Sequence, residues 1–313
     1  MINVGVIGIG SMGANHVRVY HEMSLEGKVK LVGISDINEK KVYDIAEKYK
    51  TKAFTDYKEL IKEDLDAVNI VVPTTLHKKV AIDVINRGIN TFIEKPITNT
   101  LDSANLIINS AKRKKVKLQI GHIERFNSSI SKLKELIEKN ELGEVVSLSA
   151  KRVGPYNPRI RDVGIILDLG AHDIDVITHL YNQRPKSVFT NAGKTIHSKE
   201  DRAIIVLNFK NHKSGIVETN WFTPHKTRTL TAVGTKGIAY VDYIEQSLRI
   251  YNHEWVKDVK IEKKEPLRLE LESFVNCIEN NKIPTVTGED AKQVLEIAIA
   301  ATKSAKSGKI QYL

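Results

Sequence analysis

Six residues, Gly8-Ile9-Gly10-Ser11-Met12-Gly13, follow directly on a short apolar run at 2–7 and open a helical pattern. Only glycine lets a chain turn this tightly, bring its backbone against a bound pyrophosphate and seat a helix closely on a strand. Strand, loop and helix in that order leave the unpaired N–H groups of the helix N-terminus facing an anion. A second apolar run leads to Asp36, 23 positions after Gly13. A carboxylate there hydrogen-bonds an adenosine ribose 2′-hydroxyl and repels a 2′-phosphate. No arginine stands in the next residues, Ile37-Asn38-Glu39, to receive such a phosphate. The spacing predicts a dinucleotide site that takes NAD(H) rather than NADP(H).

The surrounding segments alternate in the same way. Short apolar runs at 2–7, 29–35, 67–72, 90–93 and 116–120 are separated by helical periods, such as Val42, Ile45, Ala46 and Tyr49. Near-continuous β-branched strands between helices predict a parallel sheet covered on both faces, a doubly wound α/β Rossmann domain over residues 1–121. A chain of 313 residues outgrows the roughly 250–300 that one core serves, so a second domain is expected. From 122 to 313 the pattern is α+β: a helix with Ile130, Leu133, Leu136 and Ile137 on one face, a strand around 144–152, a second helix near 164–180, then strands punctuated by turns such as Asn211-His212-Lys213-Ser214 and Gly234-Thr235-Lys236-Gly237, then two closing helices. The strands should form one large open, mostly antiparallel sheet. A second subunit is the simplest cover for its bare face, so a homodimer or homotetramer is expected; coverage by the closing helices is the alternative.

Composition narrows the functional classes. The net charge of +10 is spread evenly: 19 Lys and Arg against 14 Asp and Glu in residues 1–121, and 29 against 24 in the rest. No basic arm or stripe of the kind that grips a phosphate backbone emerges, so nucleic acid is not expected as a partner. No apolar run approaches the roughly 20 residues of a membrane span, and the first residues read as a strand rather than a leader. Cys277 stands alone, which excludes an intrachain disulfide and suits a reducing cytoplasm.

Two further segments carry chemistry. Glu94-Lys95-Pro96 ends the fourth predicted strand, at the carboxyl edge where open α/β sheets bind ligands. Asp168-Leu169-Gly170-Ala171-His172 sets a carboxylate and an imidazole four residues apart, one above the other on a helix. Asp175 and His179 continue that stripe, a geometry a metal would accept, but an acidic helix face is commoner and no metal is assigned. Together with the glycine loop and Asp36, these segments resemble the Gfo/Idh/MocA family of NAD(P)-dependent sugar and polyol oxidoreductases. The resemblance spans essentially the whole chain and includes the turn Pro73-Thr74-Thr75-Leu76-His77 and the segment Gly121-His122-Ile123-Glu124-Arg125-Phe126.

The resemblance implies oxidation of a secondary ring alcohol by hydride transfer to nicotinamide. It assigns Gly8, Gly10, Ser11, Met12, Gly13, Asp36, Pro73, Thr74, His77, Glu94 and Lys95 to the cofactor. His172 would be the general base, Lys95 would reach the reacting hydroxyl and the nicotinamide ribose, and Asp168 would orient the sugar or assist the proton relay. The chemistry is consistent: an alcohol proton must leave as the hydride does, and an imidazole of pKa about 6.5 is suited to take it. A cis peptide is common in the family at the position of Lys95-Pro96.

Substrate choice rests on a cation-rich stretch, Lys151 to Arg161. Guanidinium forks match phosphate oxygens in pairs, so Arg152, Arg159 and Arg161, with Tyr156, are expected to hold a diphosphate. In a second stretch, Trp221 to Arg228, an aromatic ring could stack on a base and Lys226 or Arg228 pair with a phosphate. Both stretches resemble the nucleotide-sugar branch of the family, which implies oxidation at C3 of UDP-N-acetylglucosamine. A free sugar or inositol dehydrogenase is the alternative enzyme. A non-catalytic NAD/sugar sensor is a different class, and Lys95, Asp168 and His172 would be superfluous to it.

Overall fold

The computed structural model describes residues 1–156 and 163–313. The chain divides into two compact units: Met1–Ile123 with Leu267–Lys292, and Glu124–Pro266 with Gln293–Leu313.

In the first unit, β1 (Ile2–Ile7), β2 (Val29–Ser35), β3 (Lys52–Phe54), β4 (Ala67–Ile70), β5 (Asn90–Glu94) and β6 (Leu118–Gly121) alternate with α1 (Ser11–Leu25), α2 (Glu39–Tyr49), α3 (Tyr57–Leu60), α4 (Thr74–Asn86) and α5 (Leu101–Lys114). The strands lie in the order β3-β2-β1-β4-β5-β6, with parallel pairing throughout. Every residue of β4 is buried, as a strand covered on both faces requires. Strand order reverses between β1 and β4, the switch point beside which doubly wound folds bind ligands. The glycine loop, Asp36, Pro73 and Lys95 all follow the carboxyl ends of these strands. Edge strand β3, three residues long, was not foreseen, being too short to show a period.

This unit also contains α8 (Pro266–Glu279), a correction to the expected boundary at 121. Leu267, Leu271, Phe274 and Val275 recur at helical spacing and are buried in one cluster with Val4, Val17 and Phe92. Phe92 and Phe274 meet edge to face, centroids 5.7 Å apart. A chain returning over some 140 residues leaves no local trace of which core it will join.

The second unit holds α6 (Ser128–Glu138), β7 (Val145–Pro155), α7 (Ala171–Tyr181), β8 (Ser187–Gly193), β9 (Arg202–Asn208), β10 (Ser214–Asn220), β11 (Phe222–Gly234), β12 (Gly237–Asp242), β13 (Ser247–Tyr251), β14 (Val256–Asp258), most of α9 (Gly288–Ser307) and β15 (Gln311–Tyr312). Nine strands form one sheet in the order β14-β13-β12-β11-β7-β10-β9-β8-β15. The sheet is mixed rather than a plain meander. β7, cut off from the other strands in sequence by α7, lies between β11 and β10, antiparallel to the first and parallel to the second.

One face of this sheet is covered. Ala150, Ile205, Leu230 and Val241 pack in a cluster with Leu133 of α6, Ile174 and Ile177 of α7, and Ile297 and Ala301 of α9. On the opposite face Val146, Ile204, Val233 and Tyr240 remain exposed. α9 therefore does not cover it, because it packs on the side already shared with α6 and α7.

Candidate functional site

The three loop glycines do three different things. Gly8 sits at φ +87°, and a Cβ there would stand 2.5 Å from the Val71 carbonyl oxygen. A Cβ on Gly13 would fall 2.0 Å from the Gly8 oxygen, so this position sets how closely α1 approaches the loop. A Cβ on Gly10 would meet nothing within 4 Å. Gly10 therefore borders open space at the start of α1, where no side chain caps the helix and no acidic residue stands in the first turn. Bare N–H groups at a helix N-terminus are what a pyrophosphate needs. Ser11 is exposed and Met12 half-buried in that first turn.

Asp36 stands across from this loop. Its Oδ2 accepts the Ile9 N–H at 2.6 Å and its Oδ1 the Asn38 N–H at 2.9 Å. The carboxylate thus holds the glycine loop in place, and each oxygen keeps a lone pair for a ribose hydroxyl. These residues fit a bound dinucleotide.

At the end of β5, Glu94 Oε2 accepts the Lys95 N–H at 3.1 Å, and the peptide from Lys95 to Pro96 is cis. Glu94 Oε1 lies 3.0 Å from His16 Nε2. His16 Nδ1 receives the Asn69 side-chain N–H at 2.9 Å, and Asn69 Oδ1 accepts the Tyr20 hydroxyl at 2.8 Å. That order fixes His16 as the Nε2–H tautomer, donating to Glu94. A buried chain of polar groups thereby fixes the carboxylate beside Lys95. His16, Asn69 and Tyr20 were missed from the sequence, because their partners lie 49 to 78 positions apart.

His77 requires a correction. It is buried, with Nδ1 3.0 Å from the Pro96 carbonyl oxygen and Nε2 2.9 Å from that of Val72. A neutral imidazole has one N–H, so His77 donates to one of these carbonyls and sets its other nitrogen against the second. It lies between the turn after β4 and the segment after β5, where both nitrogens face backbone rather than a cofactor. Burial lowers its pKa, against the pull of these carbonyls. Pro73 and Thr74, at the start of α4, remain accessible.

In the second unit, Asp168 and His172 are both half-exposed. The expected continuous α-helix contains a π-turn over Ile166–Gly170 and becomes α-helical at Ala171. Such turns widen the helix locally and recur at functional sites. Gly170 allows the close seat of this turn, since a Cβ there would come 3.2 Å from Ile205 Cδ1. Asp175 is buried and paired with Arg125, whose Nη2 lies 2.6 Å from its Oδ1. Among the described residues no group of three or more His, Cys, Asp or Glu is placed to hold a metal ion.

Beneath this helix lies a buried cluster of charges. Arg152 donates from Nε and Nη2 to the two oxygens of Asp173, at 2.8 and 3.0 Å, and from Nη1 to Glu124 Oε1 at 2.7 Å. Its guanidinium also stands 5.0 Å from the centre of the Tyr243 ring. Burial works against the charge on Arg152, but the two carboxylates outweigh it and hold the guanidinium protonated. The same burial raises the Asp173 carboxyl, opposed by Arg152. Tyr156 stacks with His197 at a centroid distance of 3.7 Å and meets Trp221 edge on at 5.1 Å.

Two family models match the chain. Residues 2–122 match the oxidoreductase family with an NAD-binding Rossmann fold, and residues 130–240 match the GFO/IDH/MocA C-terminal domain. The chain belongs to the Gfo/Idh/MocA family of oxidoreductases. Among similar members, UDP-N-acetylglucosamine 3-dehydrogenase of Acidithiobacillus ferrooxidans is 28% identical over 95% of each chain. Myo-inositol 2-dehydrogenase of Thermotoga maritima is 26% identical over 97% of this chain and 96% of that one. A solved structure of the Acidithiobacillus enzyme superposes with a TM-score of 0.90 at 27% identity, covering 98% of both chains.

The first unit of this Gfo/Idh/MocA chain is an NAD-binding Rossmann domain, in agreement with the cradle made by Gly8, Gly10 and Gly13. The arginine reading needs revision. Arg152 is 2% exposed and spends its fork on Asp173 and Glu124, so it organises the interior instead of gripping a diphosphate. The signal was available in outline: a cation on a strand at a position alternating with exposed residues faces the core, where it must find carboxylates. Arg159 and Arg161 lie outside the described residues. No helix among the described residues is long and apolar enough to cross a membrane.

Proposed function

We propose that this protein oxidises a secondary ring hydroxyl of a sugar, with C3 of UDP-N-acetylglucosamine as the substrate position. The observation that carries the reading is a half-exposed Asp168 and His172 on a π-turn and helix start, in a chain whose other unit is an NAD-binding domain. The 28% identity with a UDP-N-acetylglucosamine 3-dehydrogenase, extending over 95% of both chains, supports the choice of sugar.

NAD⁺, when bound, supplies the hydride acceptor. The chain's own residues handle the proton and the orientation. The imidazole of His172 takes the hydroxyl proton as the C–H bond breaks, because an alcohol is too weak an acid to ionise unaided. Lys95 donates a hydrogen bond to the same oxygen and stabilises the charge growing on it. The Asp168 carboxylate accepts a hydrogen bond from a sugar hydroxyl and so fixes the ring. The bare apolar face carrying Ile204, Val233 and Tyr240 is the surface through which we propose two copies pair.

Absorbance at 340 nm tests the reading. NAD⁺ is mixed with UDP-N-acetylglucosamine, N-acetylglucosamine or myo-inositol, using wild type and His172→Ala. Turnover or a stoichiometric burst with the UDP-sugar alone, lost in the variant, is expected. A signal with inositol or the free sugar instead would overturn the nucleotide-sugar assignment and leave a polyol dehydrogenase, the reading that the 26% identity with a myo-inositol 2-dehydrogenase favours.

A further inference from the structure

Arg152 of β7 and Arg228 of β11 are direct cross-strand partners. Like charges facing each other across a strand pair repel. The two guanidinia are provided for very differently. Arg152 is buried and holds two carboxylates, as described above. Among the described residues Arg228 has only a distant ion-pair partner, Glu124 Oε1 at 3.7 Å, and that oxygen already receives Arg152 Nη1 at 2.7 Å. No hydrogen bond joins the Arg228 side chain to any described residue, although the side chain is 37% exposed and therefore largely covered.

The burial and the facing Arg152 both disfavour charge on Arg228, while Glu124, Asp173 and Asp168 favour it. Arginine keeps its proton regardless, because a guanidinium is too weak an acid to lose it in a protein. The outcome is a fixed cation with five donors, part-covered, poorly partnered and electrostatically coupled to Asp168. Such a group is costly to leave unsatisfied, and the cost is removed by an anion that brings two oxygens to the fork.

We infer that Arg228 is the anion anchor of the substrate site, donating its guanidinium fork to a phosphate or carboxylate of the sugar substrate. The inference deepens the function proposed above and takes over the role that Arg152 cannot fill. Asp168 acts on Arg228 only through space, so the planar fork stays available to two oxygens of an anion, a paired contact that a lysine ammonium does not match.

Calorimetric titration of the NADH-loaded protein with UDP, glucuronate and N-acetylglucosamine tests this. Wild type, Arg228→Gln and Arg228→Lys are compared, with NADH affinity and thermal midpoint as controls for folding. Arg228→Gln is expected to weaken UDP binding at least tenfold and Arg228→Lys by an intermediate factor, with N-acetylglucosamine changed less than twofold. The same pattern for glucuronate in place of UDP identifies a carboxylate as the group held. Three results would overturn the inference: wild type binding neither anion, Arg228→Gln binding both as wild type does, or all three ligands weakening together. If anion binding depends on Arg228 but UDP-N-acetylglucosamine is not oxidised, the anchor stands and the proposed substrate falls. If Arg228→Gln oxidises that substrate with an unchanged KM, the substrate stands and the anchor falls.

Discussion

Asp173 takes both Nε and Nη2 of Arg152 on its two carboxylate oxygens, and it is the next residue after His172. The start of α7 is thus pinned to β7 through a buried, bidentate ion pair. Removing one partner leaves the other charge buried with too few contacts, which costs about 3–5 kcal/mol. Asp173→Ala should therefore lower the free energy of unfolding by that amount in urea titration. A change under about 1 kcal/mol would mean that water or Glu124 can take over the guanidinium.

The glycine loop permits a contrast between neighbours. Gly13→Ala drives a Cβ to 2.0 Å from the Gly8 oxygen and must push α1 off the loop. Its thermal midpoint and its NADH affinity should both fall. Gly10→Ala adds a methyl in open space at a residue with φ −61°, which alanine adopts without strain. Its midpoint should stay within about 2 °C of wild type, a shift worth roughly 1 kcal/mol in a chain of this length, while NADH affinity falls at least tenfold. Equal NADH affinity in Gly10→Ala and wild type would place the pyrophosphate elsewhere.

Asp36 should govern the choice between the two nicotinamide dinucleotides. Its oxygens already accept the N–H groups of Ile9 and Asn38, and their remaining lone pairs suit a ribose hydroxyl. In Asp36→Ser the repulsion of a 2′-phosphate disappears. The ratio of NADH to NADPH affinity, measured by quenching of intrinsic fluorescence, should fall at least tenfold, about 1.4 kcal/mol. An unchanged ratio would remove Asp36 from cofactor recognition and leave it as a loop clamp.

His77 gives the fold a dependence on acid. Burial holds its pKa below the ordinary value of about 6.5, so below that pH the unfolded chain binds a proton that the folded one refuses. Stability should fall as pH drops from about 6.5 toward the folded pKa, with a contribution of at most about 1.4 kcal/mol per pH unit, and this contribution levels off below the folded value. His77→Gln keeps a donor for one of the two carbonyls and does not titrate. Its urea midpoint should decline less steeply between pH 7 and pH 5 than that of wild type, although it starts lower.

Much of the architecture is legible in local pattern. The alternation of apolar runs and helical periods through residue 121 yields the parallel sheet, because central strands must be apolar throughout and their helices amphipathic. Gly8 and Gly13 are legible for a similar reason: each requirement is local, because a Cβ at either position would fall on backbone atoms. Lys95 follows β5 at the predicted edge, and Asp168 and His172 are half-exposed on one helical segment.

Other features depend on which distant groups meet. Spacing cannot reveal that His77 would close on the carbonyls of Val72 and Pro96, or that His16 would reach Glu94 through a tautomer set by Asn69. The π-turn before α7 breaks a period that sequence alone renders as unbroken helix. Above all, Arg152 and Arg228 are chemically identical residues on neighbouring strands, and only their surroundings separate them. One is met by Asp173 and Glu124 in the interior; among the described residues the other reaches only a carboxylate oxygen that the first already holds. Local pattern settles which backbone conformations and faces the chain can adopt, because those follow from each residue and its near neighbours. Which charge is neutralised from within and which awaits a ligand is decided by side chains far apart in the chain, through burial and hydrogen-bond geometry that exist only once the fold has formed.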